Sequence, residues 1–273
     1  TVTAGVPTVW LMLLQHMEKN NLKLPNLKVL NCGGSAMPRS MIKAFDDMGV
    51  EVRHAWGMTE MSPLGTVGAL QGQFSHLEGD ARLDMLQMQG YAPFMVEMKI
   101  TDDAGKELPW DGKIPGRLKV RGPAISGAYY RIKDDILDEQ GFFDTGDVAT
   151  IDEHGYVRIT DRSKDVIKSG GEWISSIDLE NLAVGHPKVA EAAVIGMPHP
   201  KWGERPLLIV QVKQGGSLTR EEILGFMDGK IASWWMPDDV VFVDSIPHTA
   251  TGKILKTALR EQFKDYSLPT AAA

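Results

Sequence analysis

The sequence predicts an α/β domain that continues into a small β-barrel, followed by a smaller α+β domain. Residues 27–60 alternate strand, glycine turn, helix and strand, whereas residues 94–160 contain short alternating strands separated by Gly and Asp turns. Beyond Arg162, helical and strand patterns mix again. These changes predict a large domain at 1–163, a second domain at 164–265 and a tail at 266–273.

The composition is that of an ordinary globular protein. Hydrophobic residues make up 43% and charged residues 24% of the 273 residues, which excludes intrinsic disorder. The net charge is −7, with 29 Lys plus Arg against 36 Asp plus Glu, which argues against nucleic-acid binding. The single cysteine, Cys32, excludes an intramolecular disulfide and a thiolate zinc cluster, and it predicts a cytoplasmic location. The longest apolar run, residues 9–14, is too short for an integral membrane segment.

The first predicted element is a βαβ unit. Apolar residues at 27–30 predict a strand, Gly33-Gly34-Ser35 predict a tight turn, and a helix is predicted over 38–49, between a proline and a glycine. A second strand follows at 50–55. Open α/β sheets bind ligands at the carboxyl ends of their strands, so we expect the loops after these two strands to converge on one crevice.

We expect the large domain to consist of a sheet part at about 1–75 and a barrel part at about 80–160. The second part contains four short stretches of alternating apolar and polar residues, which fit a small β-barrel or sandwich. They lie at 96–100, 117–121, 148–151 and 156–159. In the second domain, helices are predicted at 177–183 and 220–228, and strands near 192–195, at 207–212 and at 240–243. Ser175 with Asp178 and Thr219 with Glu222 have the capping spacing of two helix starts.

Two polar segments follow the strands of the βαβ unit. Gly33-Gly34-Ser35 would let a flat ring approach the backbone, because glycine lacks the side chain that would block it. A plain tight turn explains this segment as well. Trp56-Gly57-Met58-Thr59-Glu60 places an aromatic face, a hydroxyl and a carboxylate on one loop, which suits a base, a phosphate and Mg²⁺. A buried Trp56 and a solvated Glu60 are the alternative.

Three further segments carry groups suited to a nucleotide or a thiol. Asp147 could accept both hydroxyls of a ribose and Arg162 could add a donor, although an Asx-type turn is the alternative. Ser169-Gly170-Gly171-Glu172 exposes backbone past which a thiol-bearing arm could slide, or it is a surface turn. Lys253 lies near the carboxyl end, where a lysine is commonly a solvated charge. The chain has no Walker loop, GxSxG, HExxH or GxGxxG, and its 7 histidines are scattered.

Five segments, taken in order, resemble the later core motifs of the adenylate-forming acyl-CoA synthetases. They are NCGGSAMP at 31–38, WGMTE at 56–60, GFFDTGD at 141–147, DRSKD through SGGE at 161–172, and PHTATGK at 247–253. The resemblance covers nearly the whole chain. Residues 164–175, KDVIKSGGEWIS, are most similar to bacterial medium-chain fatty-acid–CoA ligases and their relatives that activate 3-methylmercaptopropionate.

The resemblance implies a partial adenylate-forming enzyme fold and a ligase that uses ATP, Mg²⁺ and coenzyme A. Such an enzyme converts a carboxylic acid through an acyl-adenylate to an acyl-CoA and releases AMP and pyrophosphate. The implied acid is a medium-chain fatty acid or 3-methylmercaptopropionate, and a homodimer is a possible assembly.

The resemblance also implies the site residues. The catalytic residues are Lys253, Thr59 and Glu60, and Glu60 is also the Mg²⁺ ligand. The nucleotide is bound by Gly33, Gly34, Ser35, Trp56, Gly57, Met58, Thr59, Asp147 and Arg162. Lys164 is the hinge between two poses of the second domain. Coenzyme A is bound by Ser169, Gly170, Gly171, Glu172 and Trp173, with a supporting role for Trp202-Gly203-Glu204.

Part of the family pattern has no counterpart in this sequence. The family's phosphate-binding Ser/Thr/Gly-rich loop and most of its first domain lie upstream of Thr1, which is not a Met, so we expect an incomplete chain. Without that loop the chain alone is expected to be inactive, and its sheet is expected to expose an edge that favours association. The alternative function is a non-catalytic module that binds adenylate or CoA.

Overall fold

The computed structural model describes residues 1–249 and 252–272. The chain divides into two compact units, Thr1–Ser163 and Lys164–Ala273, each with its own sheet structure. Within the described residues, no helix has both the length and the apolar character that a membrane crossing needs.

A four-stranded sheet with its helices forms the first part of unit one. Its elements are β1 (Val2–Gly5), α1 (Pro7–Asn20), β2 (Val29–Cys32), α2 (Arg39–Asp46), β3 (Glu51–Gly57) and β4 (Leu64–Val67). The strands lie in the order β1-β2-β3-β4, with the first three parallel and β4 antiparallel to β3. The predicted βαβ unit is confirmed as β2-α2-β3. β1 and α1 place a further parallel strand and helix before it, which the sequence patterns did not predict.

One apolar cluster holds the helices against this sheet. Trp10 of α1 and Phe45 of α2 pack edge to face, with their ring centroids 6.5 Å apart, and α3 (Gly79–Gln87) contributes Leu83 to the same cluster. Cys32 of β2 is buried in it, and burial raises the pKa of its thiol to about 12. The thiol therefore stays protonated at neutral pH, which suits a structural role.

A second sheet completes the first unit. Its strands are β5 (Glu97–Thr101), β6 (Gly116–Arg121), β7 (Phe143–Ile151) and β8 (Val157–Arg162). All four predicted strands are confirmed, and they are antiparallel in sequence order. The sheet is an open meander that ends at β5 and β8, so the predicted barrel is not closed within the described residues. Closing a barrel requires the first and last strands to pair, and β5 and β8 do not pair with each other.

β7 begins earlier than predicted. Residues 143–147, expected as a turn, lie in the strand, because Phe143 and Asp144 pair with β6. The strand is irregular at this point, since Gly146 has φ +70° and its N–H donates to Asp144 Oδ1 at 3.0 Å. The anticipated Asx-type contact thus forms inside an irregular strand.

The second unit is a five-stranded sheet with helices on both faces. Its elements are β9 (Ile167–Ser169), β10 (Glu172–Ile174), α4 (Ser176–Val184), β11 (Val189–His199), β12 (Gly203–Val212), α5 (Arg220–Met227), β13 (Asp239–Val243) and α6 (Lys256–Gln262). The strand order is β10-β9-β12-β11, and β13 pairs parallel to β12. All the helices and strands predicted for this unit are confirmed, and β9, β10 and α6 are additional.

The two faces of this sheet follow from the alternation of side chains along β11. Val194 belongs to the cluster under α4 and α5, whereas Ala193 and Ile195 belong to the cluster under α6. Leu268 is only 1% exposed and packs with α6, so part of the segment predicted as a tail contributes to the core.

The predicted helix caps are confirmed. The Ser175 hydroxyl accepts a hydrogen bond from the Asp178 N–H at 3.1 Å at the start of α4. Thr219 and Glu222 form a reciprocal capping box at the start of α5. Both caps are local signals, which is why the sequence alone located these helix starts.

Candidate functional site

Asp147 lies between two donors from separate strands. The Trp56 indole N–H donates to Asp147 Oδ2 at 2.8 Å, and Arg162 Nε lies 2.7 Å from Oδ1. The Asp147 side chain is only 4% exposed, whereas that of Arg162 is 43% exposed. A buried carboxylate is costly without compensation, so these two donors stabilise its charged form. The structure therefore brings together three predicted nucleotide-binding residues.

This arrangement changes the expected picture of Trp56. Trp56 and Gly57 are the last residues of β3, so the prediction that they lie on a loop is wrong for these two. The ring packs closely against Gly65, where an added Cβ would lie 2.4 Å from a ring carbon. The buried Asp147 carboxylate lies beside this ring, and its binding of ribose hydroxyls stays a prediction. Stacking of a base on Trp56 stays a prediction.

The turn Gly33-Gly34-Ser35 directly follows β2 and lies beside the carboxyl end of β3. The Gly33 N–H donates to the Gly5 carbonyl oxygen at 3.2 Å, and an added Cβ at Gly33 would lie 3.2 Å from the Ala55 oxygen. Gly34 has φ +88°, which favours glycine. The structure shows the tight turn, and nucleotide binding there stays a prediction.

His54 connects this turn to the interior and was not predicted as a site residue. Gln89 Oε1 accepts from the Ile159 N–H at 2.6 Å, so its amide nitrogen faces His54 Nδ1 at 3.2 Å. Nδ1 also lies 3.1 Å from the Gln87 carbonyl oxygen, and Nε2 lies 3.4 Å from the Ser35 carbonyl oxygen, so both ring nitrogens face polar partners. His54 is 2% exposed, and burial lowers its pKa, so the ring is neutral. The sequence did offer one signal for a buried histidine, because His54 lies two residues after the apolar Val52 and so on the same face of β3.

The predicted Thr59 and Glu60 form a short 3₁₀ turn, Thr59–Met61, directly after β3. Thr59 is exposed, and Met58 packs against the cluster that contains Met61. Glycine is required at Gly57, because an added Cβ would lie 1.9 Å from the Pro63 carbonyl oxygen. The backbone thus leaves β3 by a close turn that presents the threonine hydroxyl to solvent.

Glu60 is partly exposed, and its Oε1 accepts a hydrogen bond from the Tyr129 hydroxyl at 2.7 Å. In the described part of the chain, Oε2 has no protein donor, and no group of three or more His, Cys, Asp or Glu could hold a metal alone. Mg²⁺ is commonly held by one or two carboxylates together with substrate phosphates and water. Glu60 therefore fits a Mg²⁺ that a nucleotide also binds.

In the second unit, Gly170 and Gly171 form the two-residue turn between β9 and β10. Their φ angles are +60° and +90°, which is the geometry of a tight hairpin turn and favours glycine at both positions. The Gly170 N–H donates to the Trp202 carbonyl oxygen at 2.8 Å, while nothing lies within 4 Å of a Cβ added at Gly171. Glu172 is exposed and Trp173 is half-buried. We call residues 169–172 the glycine hairpin.

A cavity of about 870 Å³ adjoins the glycine hairpin. Arg205 on its wall donates through Nη1 to Ser169 Oγ at 3.2 Å and to the Trp234 carbonyl oxygen at 2.7 Å. Its Nη2 donates to the Met236 carbonyl oxygen at 2.9 Å, and its Nε to Asp238 Oδ1 at 2.6 Å. Arg205 thus ties the hairpin to the 234–238 segment. Arg205 was not predicted as a site residue. Its place directly before the apolar residues 206–210 of β12 could have indicated an arginine held at the end of a buried strand.

The two predicted lysines lie in the second unit. Lys164 is the first residue of the second unit and is exposed. Its carbonyl oxygen accepts a hydrogen bond from Arg260 Nη2 at 3.3 Å. Lys253 is exposed, and its carbonyl oxygen accepts from the Thr249 N–H at 2.8 Å. Ala250 and Thr251 of the same motif lie outside the described residues. The hinge and catalytic roles of the lysines stay predictions.

Comparison with known proteins identifies relatives for nearly the whole chain. The 3-methylmercaptopropionyl-CoA ligase of Ruegeria lacuscaerulensis is 53% identical over 266 residues, covering 97% of this chain and 49% of that protein. The long-chain-fatty-acid–CoA ligase of Thermus thermophilus is 47% identical and covers 97% of this chain and 50% of that protein. The chain spans about half the length of the curated relatives it matches.

Solved structures agree with this assignment. ATP-bound MatB from Rhodopseudomonas palustris is 31% identical with a TM-score of 0.80, over 97% of this chain and 51% of that one. MenE from Bacillus subtilis in complex with an acyl-adenylate intermediate is 26% identical with a TM-score of 0.81, over 95% of this chain and 51% of that one. The predicted partial adenylate-forming fold is confirmed.

Two family models match in the order that the motifs predicted. The AMP-binding enzyme model matches residues 1–130, and the model of the AMP-binding enzyme C-terminal domain matches residues 178–253. Together with the ligases above, these matches confirm the resemblance noted at the motifs. The chain therefore belongs to the adenylate-forming family of AMP-binding enzymes.

Proposed function

We propose that the protein to which this chain belongs is an AMP-forming acyl-CoA synthetase. It would convert a carboxylic acid, ATP and CoA to acyl-CoA, AMP and pyrophosphate through an acyl-adenylate. The observation that carries the proposal is the Asp147 carboxylate, held by Trp56 and Arg162 beside the carboxyl end of β3. Its ordered pair of oxygens suits the two hydroxyls of a ribose, and the named CoA ligases among the relatives support the same reaction.

The nucleotide would lie at the carboxyl ends of β2 and β3. Gly33, Gly34 and Ser35 would line the base, since they form the tight turn that directly follows β2, with Gly34 at φ +88°. Asp147 and Arg162 would bind the ribose, and the Trp56-Gly57-Met58 segment would border it. This is the edge at which open α/β sheets bind their ligands.

In the first half-reaction, a carboxylate oxygen of the acid attacks the α-phosphorus of ATP, and the bond to the bridging oxygen of pyrophosphate breaks. Lys253 and Thr59 would donate to phosphate oxygens whose charge grows in the transition state. A Mg²⁺ held by Glu60 would supply further neutralisation of that charge.

In the second half-reaction, the CoA sulfur attacks the acyl carbon, its proton passes to solvent and AMP leaves. The glycine hairpin and Trp173 would line the CoA arm, and Trp202-Gly203-Glu204 would have a supporting role. Lys164 would be the hinge at which the second domain changes pose between the two half-reactions. No side-chain nucleophile is needed. A buried Cys32 with a pKa of about 12 is consistent with that chemistry.

The substrate acid would be 3-methylmercaptopropionate or a medium-chain fatty acid, because proteins named for both are relatives. The identities of 53% and 44% favour the former. A cytoplasmic location, a homodimer and the lack of a nucleic-acid partner remain predictions.

The test is AMP formation with ATP, Mg²⁺ and CoA, for this chain and for the longest open reading frame that contains it. Octanoate and 3-methylmercaptopropionate are the two acids. We expect acid- and CoA-dependent AMP from the longer protein and none from the chain alone. AMP from neither protein, with both folded, would overturn the ligase proposal in favour of a non-catalytic binding module.

A further inference from the structure

One short segment contacts Glu60 twice. The Tyr129 hydroxyl donates to Glu60 Oε1 at 2.7 Å, and the Ser126 N–H donates to the Glu60 carbonyl oxygen at 2.7 Å. One bond fixes the main chain of the glutamate and the other fixes its carboxylate. Two contacts from residues three apart indicate that this segment determines where the carboxylate points.

The segment is itself anchored. Ile125, next to Ser126, packs against the buried cluster that contains Met61, the neighbour of Glu60, and Phe143 of β7. A tyrosine phenol is protonated at neutral pH, so the hydroxyl is the donor in this hydrogen bond. The hydroxyl is therefore presented to Glu60 from a packed base, although the Tyr129 residue is 42% exposed.

We propose that Tyr129 is a positioning residue that holds Glu60 Oε1 and so turns Oε2 toward a divalent cation. This inference rests on the proposed function, in which Glu60 binds the Mg²⁺ of the nucleotide. With Oε1 bound by the phenol, Oε2 is the oxygen that has no protein donor among the described residues, and one such ligand atom suits Mg²⁺ because this ion keeps water and phosphate in its remaining positions. Removing the hydroxyl leaves the Glu60 carboxylate free to rotate. Cation binding must then order this side chain, and that entropy cost lowers the affinity for the cation.

The opposite role predicts the opposite result. If the Tyr129 hydroxyl only occupied the place of the cation, its removal would make the cation bind more tightly. The direction of the change in cation affinity thus separates positioning from competition.

The test substitutions are Tyr129→Phe and the adjacent Tyr130→Phe, each in the longest open reading frame that contains this chain. Tyr130 is the matched control, because it is 84% exposed and its hydroxyl has no hydrogen bond within the described residues. We expect Tyr129→Phe to raise the Mg²⁺ concentration for half-maximal adenylate formation roughly three- to tenfold, as expected for the loss of one hydrogen bond of ordinary strength at a partly exposed site. The maximal rate should recover at high Mg²⁺, and Tyr130→Phe should match the unsubstituted protein.

A second readout does not depend on turnover. Electron paramagnetic resonance of Mn²⁺ with a non-hydrolysable ATP analogue measures cation binding directly, and Tyr129→Phe should weaken it by a similar factor. Unchanged or tighter Mn²⁺ binding in a folded Tyr129→Phe protein would overturn the inference. An unsubstituted protein that binds Mn²⁺ with the analogue but forms no AMP would instead overturn the proposed function, while the comparison of variants still tests Tyr129.

Discussion

The Trp56 indole N–H donates to Asp147 across 91 positions of sequence, at 2.8 Å, and joins the end of β3 to β7. The acceptor is a carboxylate with a side chain only 4% exposed. Hydrogen bonds to buried charged groups contribute more to stability than bonds between neutral groups do. The contact therefore links the stability of the first unit to the residue proposed to bind ribose.

A double-mutant cycle with Trp56→Phe and Asp147→Asn tests this link. Each single change should lower the free energy of unfolding of the first unit, and the coupling between them should be about 1–3 kcal/mol. Urea unfolding followed by circular dichroism measures it, with separate transitions expected for two units. Trp110→Phe, at a residue that is 41% exposed, is the control. Additive effects of Trp56→Phe and Asp147→Asn would show that the bond contributes nothing.

Arg205 should be among the most sensitive positions of the second unit. Its ion pair with Asp238 is buried, with side chains 13% and 7% exposed, and Asp238 also accepts from the Thr270 hydroxyl. Arg205→Ala leaves that carboxylate without its cation, so the free energy of unfolding should fall by about 3–5 kcal/mol. Urea unfolding measures the loss.

Arg205→Lys is the matched variant. Lysine keeps the charge but lacks the planar fork that reaches Ser169, Trp234 and Asp238 together, so its loss should be intermediate. Because Arg205 ties down the glycine hairpin, the lysine variant should also raise the KM for CoA more than the KM for ATP. Equal losses in the alanine and lysine variants would contradict the role of the fork.

His54 predicts a pH dependence of stability. Its folded pKa lies below the unfolded value of about 6.5, because burial disfavours the charged ring. The unfolded chain then binds the proton first, so stability is fully present above about pH 6.5 and is lost as the pH falls toward the folded pKa. The urea midpoint of the first unit should decrease over this range.

His54→Gln should remove part of that decrease, since glutamine does not titrate. His76→Gln, at an exposed position, is the control and should leave the pH dependence unchanged. His186 also has a pKa lowered by burial, so a residual decrease is expected in the second unit. A pH profile identical in His54→Gln and the unsubstituted chain would contradict the prediction.

Local signals account for the parts of the fold that the sequence predicted well. The caps at Ser175 and Thr219 lie within three residues of their partners, and the alternation in β6 needs only neighbouring positions. The sequence did not predict α1, although Pro7 begins it and Asn21, with φ +50°, ends it. Apolar residues such as Met12 lie on its exposed face, so the sequence lacks the alternation of apolar and polar residues that marks an amphipathic helix.

The candidate site was predicted residue by residue, but its contacts were not. Trp56, Asp147 and Arg162 were chosen from motifs, whereas their mutual bonds depend on how the two sheets of the first unit pack. Tyr129 and Arg205 carry no short motif of their own, and they act through partners 69 and 33 positions away. Such contacts follow from tertiary structure, which periodicity and spacing do not specify.

The proposed roles of the two lysines predict opposite losses. Lys253→Ala removes the donor to the phosphate oxygens, so adenylate formation should fall below detection while CoA capture of a supplied acyl-adenylate is retained. Lys164→Pro fixes φ and removes an N–H at the hinge, so adenylate formation should remain largely intact while thioester formation slows. Pyrophosphate release measures the first half-reaction, and thiol consumption from the supplied adenylate measures the second. Loss of both half-reactions in both variants would point to misfolding and contradict a division of labour between Lys253 and Lys164.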